Sequence, residues 1–427
     1  MEPLKIIPLG GLGEFGLNMM LIEYGDAAIA VDCGLMFPDA TLLGIDLVIP
    51  DVTYLLEHKD KLRGIVLTHA HEDHVGALPF ILKHLDVPIY GTRLTLGLLA
   101  NKLSEHDLED SADIHEITAG DPWEIAPFRI EGIRVTHSLM DCLALAVETP
   151  MGTVIHTGDF KIDNTPMDGE MFDFQRFAAY GEKGVLLLMS DSTNVERAGY
   201  TPSEREVGTN LEQIIQGSTG KVLVSTFSSS IPRIQQVVDI SERCDRRVVL
   251  SGRSMIRNCQ VASDLGYLRL PRSYMTENER WHDLPVDGLT FLTTGSQGEP
   301  LSVLHRVALD DHKTLKVERG DTVILSSKFI PGNEKTISNL INHLYRRGAE
   351  VHYEKVSEIH VSGHASQEEL KTMLQLTRPR YFVPIHGEYR HLVRHRRLAQ
   401  DVGVPEENCF ILEDGDVLEL TAHGARK

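Results

Sequence analysis

Short apolar runs rich in β-branched residues alternate along the chain with longer amphipathic stretches, and turn formers separate the two kinds of segment. Residues 18–24 are apolar, break at Gly25-Asp26 and resume at 28–32, a pattern of two strands joined by a tight turn. Stretch 36–51 is rich in turn formers and carboxylates and reads as a loop, 53–61 as a helix, and 64–67 (Gly-Ile-Val-Leu) as a buried strand. A helix is predicted to begin at Val75, followed by a short strand at 88–91 and a helix over 94–103. Further strands end near Val135, Ile155 and Met189. This alternation predicts a layered α/β architecture.

The texture changes around Arg197 to Arg205, with Gly199-Tyr200-Thr201-Pro202 as a linker. A second α/β unit follows: helix 207–216, strand 221–226, helix 232–244, strand 248–250, strand 322–325 and helix 334–347. The last part returns to the first style, with a helix running to about Leu376 and a strand from Tyr381. The middle unit is therefore expected to be an insertion into a split first domain, with residues 1–200 and 358–427 enclosing 201–357.

The densest chemistry is Thr68-His69-Ala70-His71-Glu72-Asp73-His74, directly after the 64–67 strand. Imidazole and carboxylate at this density suit Zn or Mn. His69 and His71 can share one ion while Asp73 and His74 reach a second beside it. A solvated polar loop is the bland alternative, and four candidate ligands at this spacing argue against it. More candidates arrive at strand ends: His137, Asp159, Asp191 and His386. A lone strand-end histidine is more often structural, but the upstream cluster reverses those odds. Asp159 suits a bridging role, because a carboxylate has two oxygens, and His386 would complete the second ion. Asp32, also at a strand end, suits orienting the ligating histidines through hydrogen bonds.

Gly11-Leu12-Gly13-Glu14-Phe15-Gly16 is a literal G-x-G-x-x-G, with Asp32 following about where a dinucleotide-binding unit places its acidic residue. That reading fails because a hairpin, not a helix, follows the glycines. In the inserted unit, Ser228-Ser229-Ser230 and Ser251-Gly252-Arg253-Ser254 stand where strands pass into helices, as do the glycines and hydroxyls of 294–298. Helix N-termini hold phosphate. For any one turn simple capping is the commoner explanation, but several on one unit point to a polyanion-binding face.

The chain of 427 residues carries a formal net charge of −20, which argues against broad nonspecific attraction to nucleic acid and leaves local basic segments such as Arg394-His395-Arg396-Arg397. The five cysteines are odd in number and form no Cys-x-x-Cys pair, so reduced thiols are expected. No run approaches the roughly 18 apolar residues of a membrane span, and Met1-Glu2-Pro3-Leu4-Lys5 lacks the layout of a signal peptide. A cytoplasmic protein with no membrane partner is expected.

Taken together these residues resemble the metallo-β-lactamase fold, an αββα sandwich, carrying an inserted β-CASP α/β domain, and within that group the ribonuclease J family. The resemblance covers nearly the whole chain. It rests on 68–74 and also on 9–16, Phe37-Pro38-Asp39, 44–46, Thr136-His137-Ser138, 157–161, 190–194, 252–255, 295–300, Pro331-Gly332-Asn333-Glu334, Gly363-His364-Ala365-Ser366 and 384–388. It implies two zinc ions per chain, with manganese as an alternative. His69, His71, His137 and Asp159 would hold one, and Asp73, His74, Asp159 and His386 the other. It further implies that Asp73, Asp191 and His364 belong to the catalytic set, with His364 protonating the leaving oxygen. The implied activity is two-metal hydrolysis of single-stranded RNA, endonucleolytic and also exonucleolytic from a 5′ monophosphate. That phosphate would sit among Ser228, Ser229, Ser230, Arg253, Gly363, His364, Ala365 and Ser366.

Two departures matter. Pro232 stands where the family commonly has a histidine ahead of Arg233-Ile234-Gln235-Gln236, and proline offers phosphate neither an N–H nor a ring nitrogen. The sequence ends at Lys427, before the family's usual C-terminal domain, which weakens the expectation of a homodimer or homotetramer. Rival readings are a small-molecule zinc hydrolase opening lactones or β-lactams, a DNA nuclease, and a non-catalytic RNA-binding subunit. The insertion with phosphate-type turns speaks against the first, and the full ligand set against the last.

Overall fold

The break at Gly25-Asp26 is a hairpin turn, and the strands Met19–Tyr24 and Ala27–Val31 that it joins pair antiparallel in register. The computed structural model describes residues 2–38, 42–329, 333–354 and 356–427. Asp39 of the 37–39 stretch, and Pro331 and Gly332 of the 331–334 stretch, lie outside the described residues. The chain divides into two compact units. One comprises Met1–Asn164, Met171–Thr201 and Gly363–Lys427, the other Thr165–Glu170 and Pro202–Ser362.

The first unit contains an eight-stranded and a six-stranded sheet. Because successive strand side chains point to opposite faces, the central strands of the larger sheet feed two cores. Ile22, Ile29 and Val66 pack inward with Ile130, Leu145, Val154, Leu187 and Val383 of the smaller sheet. Leu21, Ala30 and Ile65 pack outward with Leu78, Ile81, Leu99 and Leu103 of the helical segments. Helices including Gln367–Thr377 and Tyr389–Asp401 accompany the smaller sheet, where the Phe382 ring meets His395 edge-on.

The topology gathers strand ends. Gly152–His156, Val185–Asp191 and Tyr381–Ile385 are adjacent and parallel, with Asp191 paired to Ile385. Their C-terminal ends therefore deliver Asp159, Asp191 and His386 to one edge of the sheet. In the larger sheet Ala27–Val31 lies parallel to Leu62–Val66, which delivers Asp32 and the 68–74 segment.

Two expectations are corrected here. The helix predicted to begin at Val75 begins at Glu72, inside the ligand cluster, and stops at Val75 before a second short helix, Leu78–Ile81. Asp73 and His74 thus ride on a helical turn while His69 and His71 lie before it. The 53–61 helix is broken at His58 into an α-turn and a 3₁₀ turn.

The second unit is a six-stranded sheet in which every pairing is parallel. Leu223, Val249, Phe291 and Val323 pack on Leu304, Val307, Leu340 and Leu344. Its helix Ile231–Arg243 carries Pro232 in the first turn, where the absent N–H removes no helical hydrogen bond. Beside it, Arg233 is buried and its guanidinium donates to Glu204 Oε2 at 2.6 Å, to the Ile359 carbonyl at 2.9 Å and to the Ser326 hydroxyl. Removing one member of a buried pair strands the other charge, which costs about 3–5 kcal/mol. Arg233→Ala is expected to lose about that much in urea unfolding. The double variant Arg233→Met/Glu204→Leu should recover a substantial part, and equal loss in both would contradict the pairing as the cause.

Candidate metal centre

Within the first unit the structure brings seven predicted side chains together. One ligand atom each of His69, His71, His137 and Asp159 lie within 4.8 Å of one another, as do those of Asp73, His74, Asp159 and His386. A tetrahedral site with metal–nitrogen bonds of 2.0–2.1 Å would separate its ligand atoms by about 3.3 Å. In the first group His71 Nδ1 stands 3.0 Å from His69 Nε2 and 3.2 Å from His137 Nε2. Asp159 Oδ2 stands 3.7 Å from His69 Nε2 and 3.8 Å from His137 Nε2. In the second group Asp73 Oδ2 is 3.2 Å from His386 Nε2 and 3.6 Å from His74 Nε2. Asp159 reaches the second group through both oxygens, Oδ2 at 3.3 Å from His74 and Oδ1 at 3.7 Å from His386.

The outer hydrogen bonds fix which ring nitrogen faces inward. Asp32 accepts from the Thr68 N–H and hydroxyl, each at 2.8 Å, and from His74 Nδ1 at 2.8 Å. With its proton committed to Asp32, the Thr68 oxygen accepts from His69 Nδ1 at 3.0 Å. His137 Nδ1 donates to the Gly363 carbonyl at 2.7 Å. Thr193 gives its hydroxyl proton to Asp191 at 2.8 Å and accepts from His386 Nδ1 at 2.6 Å. Each of these four rings therefore turns Nε2 toward the centre, while His71 turns Nδ1.

Asp32 adopts a left-handed backbone, φ 62°, a conformation Asp tolerates better than most residues, and this bend aims its carboxylate back at the ligands. His386 shares that conformation, φ 56°, as it leaves its strand.

Electrostatics separate the two groups. Burial, reinforced by neighbouring imidazoles, pushes His69 and His137 well below the ordinary histidine range, and burial takes His71 down to about 4. Three ring nitrogens thus converge without protons enough to satisfy them, and a cation satisfies all three. Burial also acts on His74 and His386, but Asp159 and the other carboxylates around each outweigh it and hold both well above the ordinary range. The same contacts hold Asp73, Asp159 and Asp191 down against the opposing effect of burial. The donor set fits divalent metal ions, with three nitrogens and one oxygen in the first group and two of each in the second.

His364 lies beside the ligands, with Nδ1 2.8 Å from Asp191 Oδ2, and its side chain is 19% exposed where Asp191 is 1% exposed. Asp191 is anchored by the N–H and hydroxyl of Thr193, at 2.9 and 2.8 Å. Gly363 permits the close approach, since a Cβ there would lie 2.6 Å from His137 Cε1. Ala365 is buried, and Ser366 caps the helix Gln367–Thr377.

Ser228, Ser229, Ser230 and Arg253 belong to the second unit and stand at the C-terminal ends of its parallel strands. The Ser228 hydroxyl accepts from Asn258 at 3.1 Å. The Gly252 N–H is committed to Glu277 Oε2 at 3.2 Å, which also accepts from the Ser251 hydroxyl. A carboxylate of the chain thus occupies part of the turn that the sequence offered to phosphate.

Sequence reasoning assigned no role to Asn18, Thr68, Thr193 or Asn194. Asn18 donates to the Asp73 carbonyl at 3.0 Å, and Asn194 to the His364 carbonyl at 2.9 Å. Their one available signal was adjacency in sequence to a ligand. Asn18 lacked even that, because Asp73 lies 55 residues away.

Residues 12–194 match the metallo-β-lactamase superfamily, 219–344 the ribonuclease J β-CASP domain, and 348–412 the Zn-dependent metallo-hydrolase RNA specificity domain. A solved structure of a protein of unknown function from Enterococcus faecalis superposes with TM-score 0.68 at 16% identity, covering 98% of this chain and all of that one. The protein is thus a metallo-β-lactamase-fold chain with an inserted β-CASP domain. Ribonuclease J of Helicobacter pylori is 47% identical over 417 residues, spanning 97% of this chain and 60% of that protein. Ribonuclease J of Thermus thermophilus is 47% identical over 428 residues, spanning 98% and 74%, and ribonuclease J2 of Bacillus subtilis 39% identical over 425, spanning 100% and 76%. The chain belongs to the ribonuclease J family, and it covers about three-fifths of the Helicobacter relatives' length.

Hydrogen-bonded supports of a ligating histidine typically account for 10–100-fold in metal affinity. Asp32→Asn keeps the backbone conformation and loses one of the two acceptor oxygens that serve Thr68 and His74. Equilibrium dialysis with zinc should show affinity lower by that factor, and unchanged affinity would remove Asp32 from the support of the centre.

Proposed function

We propose that this protein is a metal-dependent ribonuclease that hydrolyses single-stranded RNA endonucleolytically and from the 5′ end. The observation that carries the reading is the pairing of a dense, buried donor set with an Asp191–His364 couple beside it. Two zinc ions per chain, or manganese in their place, fit the two groups joined by Asp159. Such ions would supply Lewis acidity, offsetting phosphodiester charge and making water nucleophilic near neutral pH.

The residues of the chain supply the rest. Asp32, Thr68, Gly363 and Thr193 hold four imidazoles in the tautomer whose lone pair faces the other ligand atoms. Asp191 accepts from His364 Nδ1, which fixes the ring and leaves Nε2 as the nitrogen that exchanges the proton. His364 is the proton donor to the departing 3′ oxygen, and its partial exposure lets it regain the proton from solvent. On the second unit, Ser228, Ser229, Ser230 and Arg253 are proposed phosphate contacts; on the first unit, Gly363, His364, Ala365 and Ser366 are proposed RNA contacts beside the metal ligands. A cytoplasmic location belongs to the same proposal. Among the described residues no helix is long and apolar enough to cross a bilayer.

General-acid catalysis contributes roughly 10²–10⁴-fold. His364→Ala should therefore lose turnover of a 5′-labelled RNA by about that factor with metal content retained, whereas Asp73→Ala should lower metal content itself. Equal metal loss in both variants would contradict the role given to His364. A chromogenic lactam hydrolysed faster than RNA would overturn the nuclease reading. Comparing RNAs with a 5′ monophosphate, triphosphate or hydroxyl tests whether Pro232 has cost the enzyme its 5′-end preference.

A further inference from the structure

We infer that Glu369 is the positioning residue for His364, an inference that rests on the reading of His364 as proton donor. Glu369 occupies the third position of the helix Gln367–Thr377 and returns to the Ser366 N–H at 2.8 Å, an ordinary capping box. A capping box alone leaves its carboxylate free to sit at the surface. Glu369 is fully buried, and among the described residues no lysine or arginine forms an ion pair with it. Its oxygens instead accept two further main-chain N–H groups from distant segments. Oε2 takes the Thr201 N–H at 2.7 Å as well as that of Ser366, and Oε1 takes the Ile162 N–H at 2.7 Å.

These three segments frame His364. The Thr201 hydroxyl donates to the His364 carbonyl at 2.8 Å, beside the Asn194 amide at 2.9 Å. Ser366 lies two residues beyond His364, and its hydroxyl pairs with that of Thr201 at 2.9 Å. Ile162 closes the segment that begins at Asp159. Glu369 touches neither His364 nor any proposed ligand. It fixes the main chain from which the His364 ring reaches Asp191. A buried carboxylate without a cation, satisfied only by peptide N–H groups, costs desolvation that a simple helix cap does not require. Its return is rigidity where a displacement of about 1 Å can cost about 100-fold in rate.

Glu369→Gln has the same shape but only one accepting oxygen, so an amide N–H must face either Ile162 or the Thr201–Ser366 pair, and one side of the frame parts. The test compares turnover of RNA with that of bis(4-nitrophenyl) phosphate, whose leaving group departs without protonation, together with metal content. The ratio of RNA to nitrophenyl turnover is expected to fall at least tenfold in Glu369→Gln, as it does in His364→Ala, with metal content at the wild-type value. His364→Ala/Glu369→Gln should be no slower on RNA than His364→Ala alone. Thr201→Val, which removes only the hydroxyl on the His364 carbonyl, should lower the same ratio by a smaller factor and decides the matter if Glu369→Gln does not fold. Equal slowing on both substrates, loss of metal, or multiplying effects in the double variant would overturn the inference in favour of a structural role. Wild-type protein inert on RNA, or His364→Ala with an unchanged ratio, would instead overturn the functional reading beneath it.

Discussion

The constraint on which the rest of the structure depends is that five imidazoles and two carboxylates are held in one place with their acceptor atoms facing one another. Left to themselves, buried lone pairs and carboxylates of this density are costly. The fold tolerates them because four of the five imidazoles are tied from behind: Asp32 holds Thr68 and His74, Thr68 holds His69, the Gly363 carbonyl holds His137, and Thr193 joins His386 to Asp191. The arrangement is a receptor for positive charge.

Sheet topology makes that convergence possible. Three parallel strand ends bring Asp159, Asp191 and His386 side by side, and the opposing sheet contributes Asp32 and the 68–74 segment. Loops carry the chemistry, while the two cores fix where the loops begin. Left-handed φ at Asp32 and His386 is local strain that the surrounding hydrogen bonds sustain.

Much of this was legible in the chain. The hairpin at Gly25-Asp26, the strand before His69 and the return to the first domain after the insertion followed from period and turn chemistry. Less local features did not. The helix start at Glu72 was obscured because His71 is no usual cap and Gly76 interrupts the apolar period. Strand Cys142–Thr149, buried along most of its length, carries no alternation that marks a strand apart from a helix. Most supporting contacts bridge tens to hundreds of residues, as with Thr193 and His386 or Ile162 and Glu369, and nothing in their local sequence announces them. Conversely, the Ser251-Gly252 turn looked open to phosphate in sequence, yet part of it is occupied by Glu277, 25 residues away.

The most direct test of the central claim is anomalous diffraction from crystals grown with manganese or zinc. Two peaks are predicted, one against His69, His71 and His137, the other against Asp73, His74 and His386, with Asp159 between them. Absence of both peaks, or strong peaks only elsewhere on the molecule, would contradict the account.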